Sequence, residues 1–269
     1  HTAYRRQRQM CIRDSIIYVY TTLTVVALYG NYMLIVMGVQ TLMTAMFNSM
    51  NAGIGNLVAE GDKRKIMSVF AELFSIRFLF SCIMCFGVLM ITPAFVSFWI
   101  GKKYVMDSLS LLLMTAILFV NLSRTTVDAY INAYGLFGDI WAPIVEASLN
   151  VGLSIILGYY FGLHGVLSGV LISLLLVVFC WKPYYLFRKG LDERLSIYIF
   201  MYARHLMAAL LCGVIVCLGM RYSMVQGDTT FFDGLLGILV FSILSTLTLL
   251  CVAPGMRNLM RRFIRMCHV

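Results

Sequence analysis

Residues 15–59, SIIYVYTTLTVVALYGNYMLIVMGVQTLMTAMFNSMNAGIGNLVA, contain no Asp, Glu, Lys or Arg. A helix needs about 20 predominantly apolar residues to cross a bilayer. This run is too long for one crossing and too apolar for water. Tyr29-Gly30-Asn31 is the natural break, giving a short segment near 16–28 and a full span near 31–57. Working outward, further apolar runs predict spans near 76–100, 107–131, 140–161, 164–187, 202–222 and 232–253. The expected fold class is all-α: a polytopic membrane helix bundle of about seven complete transmembrane helices plus one truncated at the start. A stub of about 13 residues at 1.5 Å per residue falls short of the about 30 Å of hydrocarbon, so its other half is expected upstream.

Composition supports the same class. Of 269 residues, 61% are hydrophobic and 12% charged, against about 45–50% and about 25% in soluble domains. Mean hydropathy is +0.88. These figures exclude disorder, a collagen-like chain, a secreted disulfide scaffold and, despite a net charge of +9, a soluble nucleic-acid binder. No nucleic-acid partner is expected; the bilayer is. Cys82, Cys85, Cys180, Cys212, Cys217 and Cys251 lie in apolar runs, and Cys11 and Cys267 near the termini. Cys82-Ile83-Met84-Cys85 has no second pair to complete a zinc site, so the cysteines read as packing residues with free thiols. No metal and no cofactor are expected.

His1–Ser15 (HTAYRRQRQMCIRDS) stands apart. It has no helical apolar face and no signal-peptide core. It reads as translated adapter joined to a truncated frame, or else as a short basic cytoplasmic arm. The expected divisions are 1–15, this arm; 16–30, truncated helix and turn; 31–255, transmembrane lobe; and 256–269, basic tail.

Lysine and arginine concentrate on the cytoplasmic side of membrane proteins. Lys63, Arg64 and Lys65 follow the first full span, Arg188, Lys189 and Arg194 lie two connections later, and the tail carries Arg257, Arg261, Arg262 and Arg265. The turn Phe161–His164 and the loop Ser223–Phe231 carry neither residue type; Lys102 and Lys103 are the exception. A cytoplasmic C-terminus is expected.

Charges at mid-membrane cost about 2.5–3.5 kcal/mol on insertion scales and need partners or water. Arg124 and Asp128 share a helix face four residues apart, and Glu146 and Asn150 repeat that spacing on the next helix. The turn between them, around Gly135–Asp139, brings Arg124 and Glu146 in from one side. The set reads either as a helix-locking ion-pair network or as a hydrophilic substrate cavity. Arg77, Lys182, Arg204 and Arg221, near span ends, read as interfacial anchors, and His164 as a turn residue. Trp99, Trp141 and Trp181 fall at span ends, as an aromatic belt does. Gln40, Asn48, Asn51 and Asn56, with Gly53 and Gly55, suggest interhelical glue with close approach or local unwinding; Gly165 and Gly169 form a packing pair. Pro93 and Pro143 suggest kinks or helix starts. No nucleophile triad, HExxH or phosphate-cradling loop is present, so an enzyme is not expected.

Tyr29-Gly30-Asn31-Tyr32-Met33-Leu34-Ile35 and Ala52-Gly53-Ile54-Gly55-Asn56-Leu57-Val58-Ala59-Glu60 resemble the polysaccharide flippases of the multidrug/oligosaccharidyl-lipid/polysaccharide exporter superfamily. So do Arg124, Ala133-Tyr134-Gly135-Leu136-Phe137, Asp139, Pro143, Glu146 and Asn150, then Leu153–Leu157 and Trp181-Lys182-Pro183. The resemblance covers roughly 16–255 and is strongest to O-antigen or capsule flippases. It implies the second lobe of a fourteen-helix transporter in the bacterial inner membrane, whose first lobe is missing here. Its implied cargo is a lipid-pyrophosphate-linked oligosaccharide, moved by alternating access, with a proton or sodium as possible coupling cation. Arg124 is then the first candidate for phosphate or sugar contact, with Asp128, Glu146 and Asn150 beside it and Arg77 as a further substrate-binding candidate. Alternatives are a drug/cation antiporter of the same superfamily, which would need an acidic cluster, and a membrane enzyme of glycan polymerisation, which would be expected to carry a large external loop.

Overall fold

The computed structural model describes residues 17–138, 141–224 and 231–267. The arm His1–Ser15 and Asp139 fall outside these residues, as does most of the loop Ser223–Phe231, and the side chains of Arg221 and Arg265 are likewise not described. The described chain is all-helical. In order it contains α1 (Leu23–Glu60), α2 (Lys63–Trp99), a 3₁₀ turn (Lys102–Tyr104), α3 (Ser108–Ser123), α4 (Thr125–Ala133) and α5 (Trp141–Leu174). The π-helical turns Leu175–Trp181 and Phe187–Leu191 flank α6 (Lys182–Leu186), and α7 (Leu195–Met224), α8 (Phe231–Val252) and α9 (Pro254–Cys267) follow. Among the described residues, six helical stretches are long and apolar enough to cross a membrane.

Two boundaries differ from the sequence reading. Tyr29-Gly30-Asn31 does not break the first run: α1 is continuous, and the interruption lies at Thr21 and Thr22, where the Val25 and Val26 amides bond back to the Thr22 carbonyl. Tyr29 and Tyr32 are buried, and the Tyr32 hydroxyl accepts from the Met106 amide at 2.9 Å, so packing holds the helix through Gly30. The second difference is length. α2 begins at Lys63, thirteen residues before the predicted span at 76, and α7 begins at Leu195 rather than 202. Hydropathy marks only the part of a helix that meets lipid. Asp62 starts α2 earlier by accepting the Arg64 and Lys65 amides.

The stretch Trp141–Leu191 is one apolar helical run, yet it doubles back at Gly162, whose φ is 55°. Ser154 Oγ donates to the Val166 carbonyl at 3.3 Å across twelve residues, whereas a straight helix would separate these residues by about 18 Å. The two arms touch through glycine: a Cβ on Gly169 would stand 2.6 Å from the Ser154 nitrogen, and one on Gly165 would stand 2.9 Å from the Gly158 nitrogen. Gly165 and Gly169 are thus the packing pair, and the turn falls within the predicted Phe161–His164. Gly53 and Gly55 have nothing within 4 Å of an added Cβ, and α1 does not unwind there, so the expected close approach is not made among the described residues.

α2 is the central helix, packed by α1, α3, α8 and α9. Its Phe70, Phe74 and Phe78 meet Tyr130, Phe187, Tyr198 and Tyr202 in an aromatic core. The basic loops converge at one end, where Lys63 Nζ meets Asp192 at 2.9 Å and Lys65 pairs with Glu60. At the other end His164 Nε2 meets Asp107 at 2.7 Å, tying the Gly162 turn to the loop before α3. Asp107 also caps α3 by accepting the Ser110 amide. Its partial burial raises the carboxyl pKa, but the His164 ring and the Ser110 amide and hydroxyl outweigh that and bring it to about 2. Cys82, Cys85, Cys180, Cys212, Cys217 and Cys251 are free thiols.

Candidate functional site

The α3–α4 junction is where one apolar run acquires a polar face. Asn121, Ser123 and Thr125 each turn a side chain back onto the preceding backbone, bonding the Ile117, Val120 and Leu122 carbonyls at 2.9, 3.2 and 2.8 Å. Such local bonds compete with the regular ladder, and the helix breaks at Arg124, whose φ and ψ are −70° and −18°. The break faces a cavity of about 310 Å³ between α1, the α3–α4 junction and both arms of α5. Tyr29, Met33, Leu167 and Val170 line it toward the end that holds the Gly162 turn; Gln40, Thr44, Asn121, Arg124, Asp128, Glu146 and Asn150 line it toward the basic end. Along α1 alone it runs from Tyr29 to Thr44, about 22 Å at 1.5 Å per residue.

Arg124, Asp128, Glu146 and Asn150 are therefore brought together as the spacing anticipated. Arg124 Nε lies 3.4 Å from Asp128 Oδ2, and Arg124 Nη1 lies 3.7 Å from Glu146 Oε1. Lys182 Nζ donates to Asp128 Oδ1 at 2.8 Å. Lys182 is not the interfacial anchor that its position suggested. The π-helical turn before α6 delivers it to Asp128, and its side chain is only 17% exposed. Two cations and two carboxylates alternate in one chain of ion pairs, Lys182–Asp128–Arg124–Glu146, so the set carries no net charge. The contacts are unequal: Asp128 is engaged closely by Lys182, whereas Arg124 Nη1 is buried without a hydrogen-bond partner, its carboxylate neighbour lying beyond hydrogen-bond distance. Arg124, which lines the cavity, is thus held by the looser of the two sets of contacts.

Arg77 lies elsewhere. It is 2% exposed, which corrects its reading as a snorkelling anchor, and of the substrate-binding candidates it is the one that does not line the cavity. Nη1 donates to the Thr125 carbonyl at 3.0 Å, Nη2 donates to Asn51 Oδ1 at 3.0 Å and the Phe47 carbonyl at 3.5 Å, and the guanidinium stands 5.3 Å from the Phe47 ring centroid. No carboxylate pairs with it among the described residues. Arg77 holds α1 and α4 to α2 from behind the break, one residue from Arg124. Asn51 thereby does act as interhelical glue.

Two buried polar groups escaped the sequence reading. His205 is fully buried, with Nε2 3.0 Å from Ser75 Oγ and Nδ1 2.7 Å from the Met201 carbonyl, which joins α7 to α2. Glu72 meets Arg262 of α9 at 3.3 Å. Neither lines the cavity. Among the described residues no group of three or more His, Cys, Asp or Glu is placed to hold a metal ion.

No family model, curated protein or solved structure matches the chain.

Proposed function

We propose that this chain is a lobe of a polysaccharide flippase, moving lipid-pyrophosphate-linked oligosaccharide, an O-antigen or capsule repeat unit, across the bacterial inner membrane. The observation that carries the reading is the gathering of Arg124, Asp128, Glu146 and Asn150, from the α3–α4 junction, α4 and α5, onto a cavity within an otherwise apolar bundle, with Lys182 of α6 holding Asp128. A sugar head group and a pyrophosphate need hydrogen-bond donors and positive charge once they leave water. A wall on which Arg124 is only loosely paired offers both without an isolated buried charge. Broken helices lining a cavity suit such sites, because the freed backbone and side chains face water rather than lipid.

In this reading the basic end is cytoplasmic and α9 lies on that side. Both arms of the folded-back α5 cross the membrane, since 21 residues from Trp141 to Phe161 reach about 30 Å. The six long stretches then make seven crossings. The head group enters the cavity, Arg124 exchanges Glu146 for a phosphate or sugar oxygen, and Asp128 remains with Lys182. A proton or sodium ion neutralises Glu146 when Arg124 leaves it. The lipid tail stays in the bilayer beside the exposed face of α1, and a second lobe completes the cavity wall. Rocking of the two lobes exposes the site to each side in turn.

The test is export in cells by the complete transporter carrying Arg124→Ala or Arg124→Lys. The expected result is loss of lipid-linked glycan export in the alanine variant at unchanged membrane level, with partial activity in the lysine variant. Full export by Arg124→Ala would overturn the assignment.

A further inference from the structure

A cationic cluster lies outside the cavity, where Ala208 of α7 packs in one buried cluster with Ala253 and with Met256 of α9. The Gly255 backbone packs against α2 so closely that an added Cβ would stand 2.8 Å from Ser75 Oγ. Met256 is buried and Leu259 packs beside it, with Leu79 and Leu249. The other side of α9 carries Arg257 and Arg261, four residues apart on one exposed face. Arg204 stands one turn before Ala208 on α7 and Arg257 directly follows Met256 on α9, so the cluster that Ala208 and Met256 share brings the two like charges to one side of the bundle. Neither they nor Arg261 has a carboxylate partner among the described residues, and Arg204 Nε is buried with no hydrogen-bond partner. Its guanidinium sits 5.7 Å from the Phe200 ring centroid, which supplies no counter-charge. Like-charged guanidinium groups held together by the fold call for an external anion.

The level of this cluster identifies the anion. No Asp, Glu, Lys or Arg lies between Arg204 and Arg221, nor between Asp233 and Arg257. Arg204 and Arg257 thus mark the same end of two apolar helices, where hydrocarbon gives way to headgroups. On α7, Met207 and Leu211 continue the Arg204 face at helical spacing and are 67% and 59% exposed. Met260 and Ile264 of α9 are also exposed. A charged head below and an apolar stripe above match a phospholipid and no soluble phosphate ester.

We propose that Arg204, Arg257 and Arg261 form a binding site for the headgroup phosphate of an anionic phospholipid, whose acyl chains run along Met207 and Leu211. The bound lipid neutralises the repulsion between α7 and α9 and fixes α9 against the bundle in membranes rich in anionic lipid. The site involves none of the cavity residues, so it stands or falls apart from the transport reading.

The test is native mass spectrometry of the detergent-purified chain titrated with phosphatidylglycerol and, separately, with phosphatidylcholine. One basic residue near an anionic surface is worth about a fivefold change in affinity. The expected result is a preference for phosphatidylglycerol of at least about fivefold. It should fall to near one in the Arg204→Gln/Arg257→Gln pair and be retained in the Arg204→Lys/Arg257→Lys pair. Should the glutamine pair not fold, Arg257→Gln alone, at an exposed position, should lower the preference about fivefold. Equal binding of the two lipids by the unaltered chain, or an undiminished preference in the glutamine variants, overturns the proposal.

Discussion

Gly165→Ala tests the folded-back α5 hairpin, on which the cavity depends. A Cβ at Gly165 would stand 2.9 Å from the Gly158 nitrogen and closer still to the Leu157 carbonyl, so both obstructing groups are backbone. Neither can rotate away, and the two arms must separate by roughly 1 Å to restore ordinary contact. That separation stretches the Ser154–Val166 hydrogen bond, already 3.3 Å long, past a useful distance. Overpacking costs about 1–3 kcal/mol, and a backbone obstacle puts this variant at the upper end, about 3 kcal/mol, or a roughly 100-fold shift in the unfolding equilibrium. Gly53→Ala is the matched control. Nothing lies within 4 Å of its added Cβ, and alanine is favoured over glycine inside a helix by about 1 kcal/mol. Unfolding can be followed in detergent by a maleimide dye that reacts with buried Cys82, Cys85 and Cys212 as they become exposed. Gly165→Ala should unfold well before the unaltered chain and Gly53→Ala no earlier than it. A Gly165→Ala variant as stable as the unaltered chain would refute the hairpin packing.

Arg77→Met should destabilise the chain by about 1–3 kcal/mol in the same dye assay, because it strips the donor from Asn51 Oδ1 and the Thr125 carbonyl. Arg77→Lys should recover only part of this, lacking the planar fork; an unchanged transition in Arg77→Met would make those bonds energetically empty. Asp107 titrates at about 2, below the ordinary carboxylate range. Its contribution to stability is therefore fully present above about pH 4 and lost as pH falls toward 2. The stability gap between the unaltered chain and Asp107→Asn, read by tryptophan fluorescence in detergent, should close over that window, and a gap that does not change with pH would refute the assignment.

The α5 turn and four cavity residues were legible because each depends on local spacing: Arg124 with Asp128, Glu146 with Asn150, and a glycine-bounded turn at Phe161–His164. What was not legible depends on partners remote in sequence. Lys182 looked like an interfacial lysine because nothing near it in the chain is acidic; its partner, Asp128, is 54 residues away. Arg77 looked the same, and its partners are carbonyls and an amide, which leave no charge pattern in a sequence. The predicted spans fall short of the starts of α2 and α7 because apolar runs show where lipid begins, while helices continue into water on caps and tertiary packing. Tyr29-Gly30-Asn31 shows the converse: a local break signal overridden by burial of Tyr29 and Tyr32.

The central claim is that the cavity bearing Arg124 and Glu146 is a wet path for a polar head group. It is tested most directly by placing a reporter there: Asn150→Cys, in a complete transporter whose native cysteines are replaced by serine or alanine, exposed to a membrane-impermeant anionic thiol reagent. The cysteine should be modified, and the reaction should be slowed by lipid-linked glycan and by Arg124→Ala, which removes the charge that draws the anion in. A thiol that stays unreactive from both sides of the membrane would contradict it and reduce the network to a dry structural clasp.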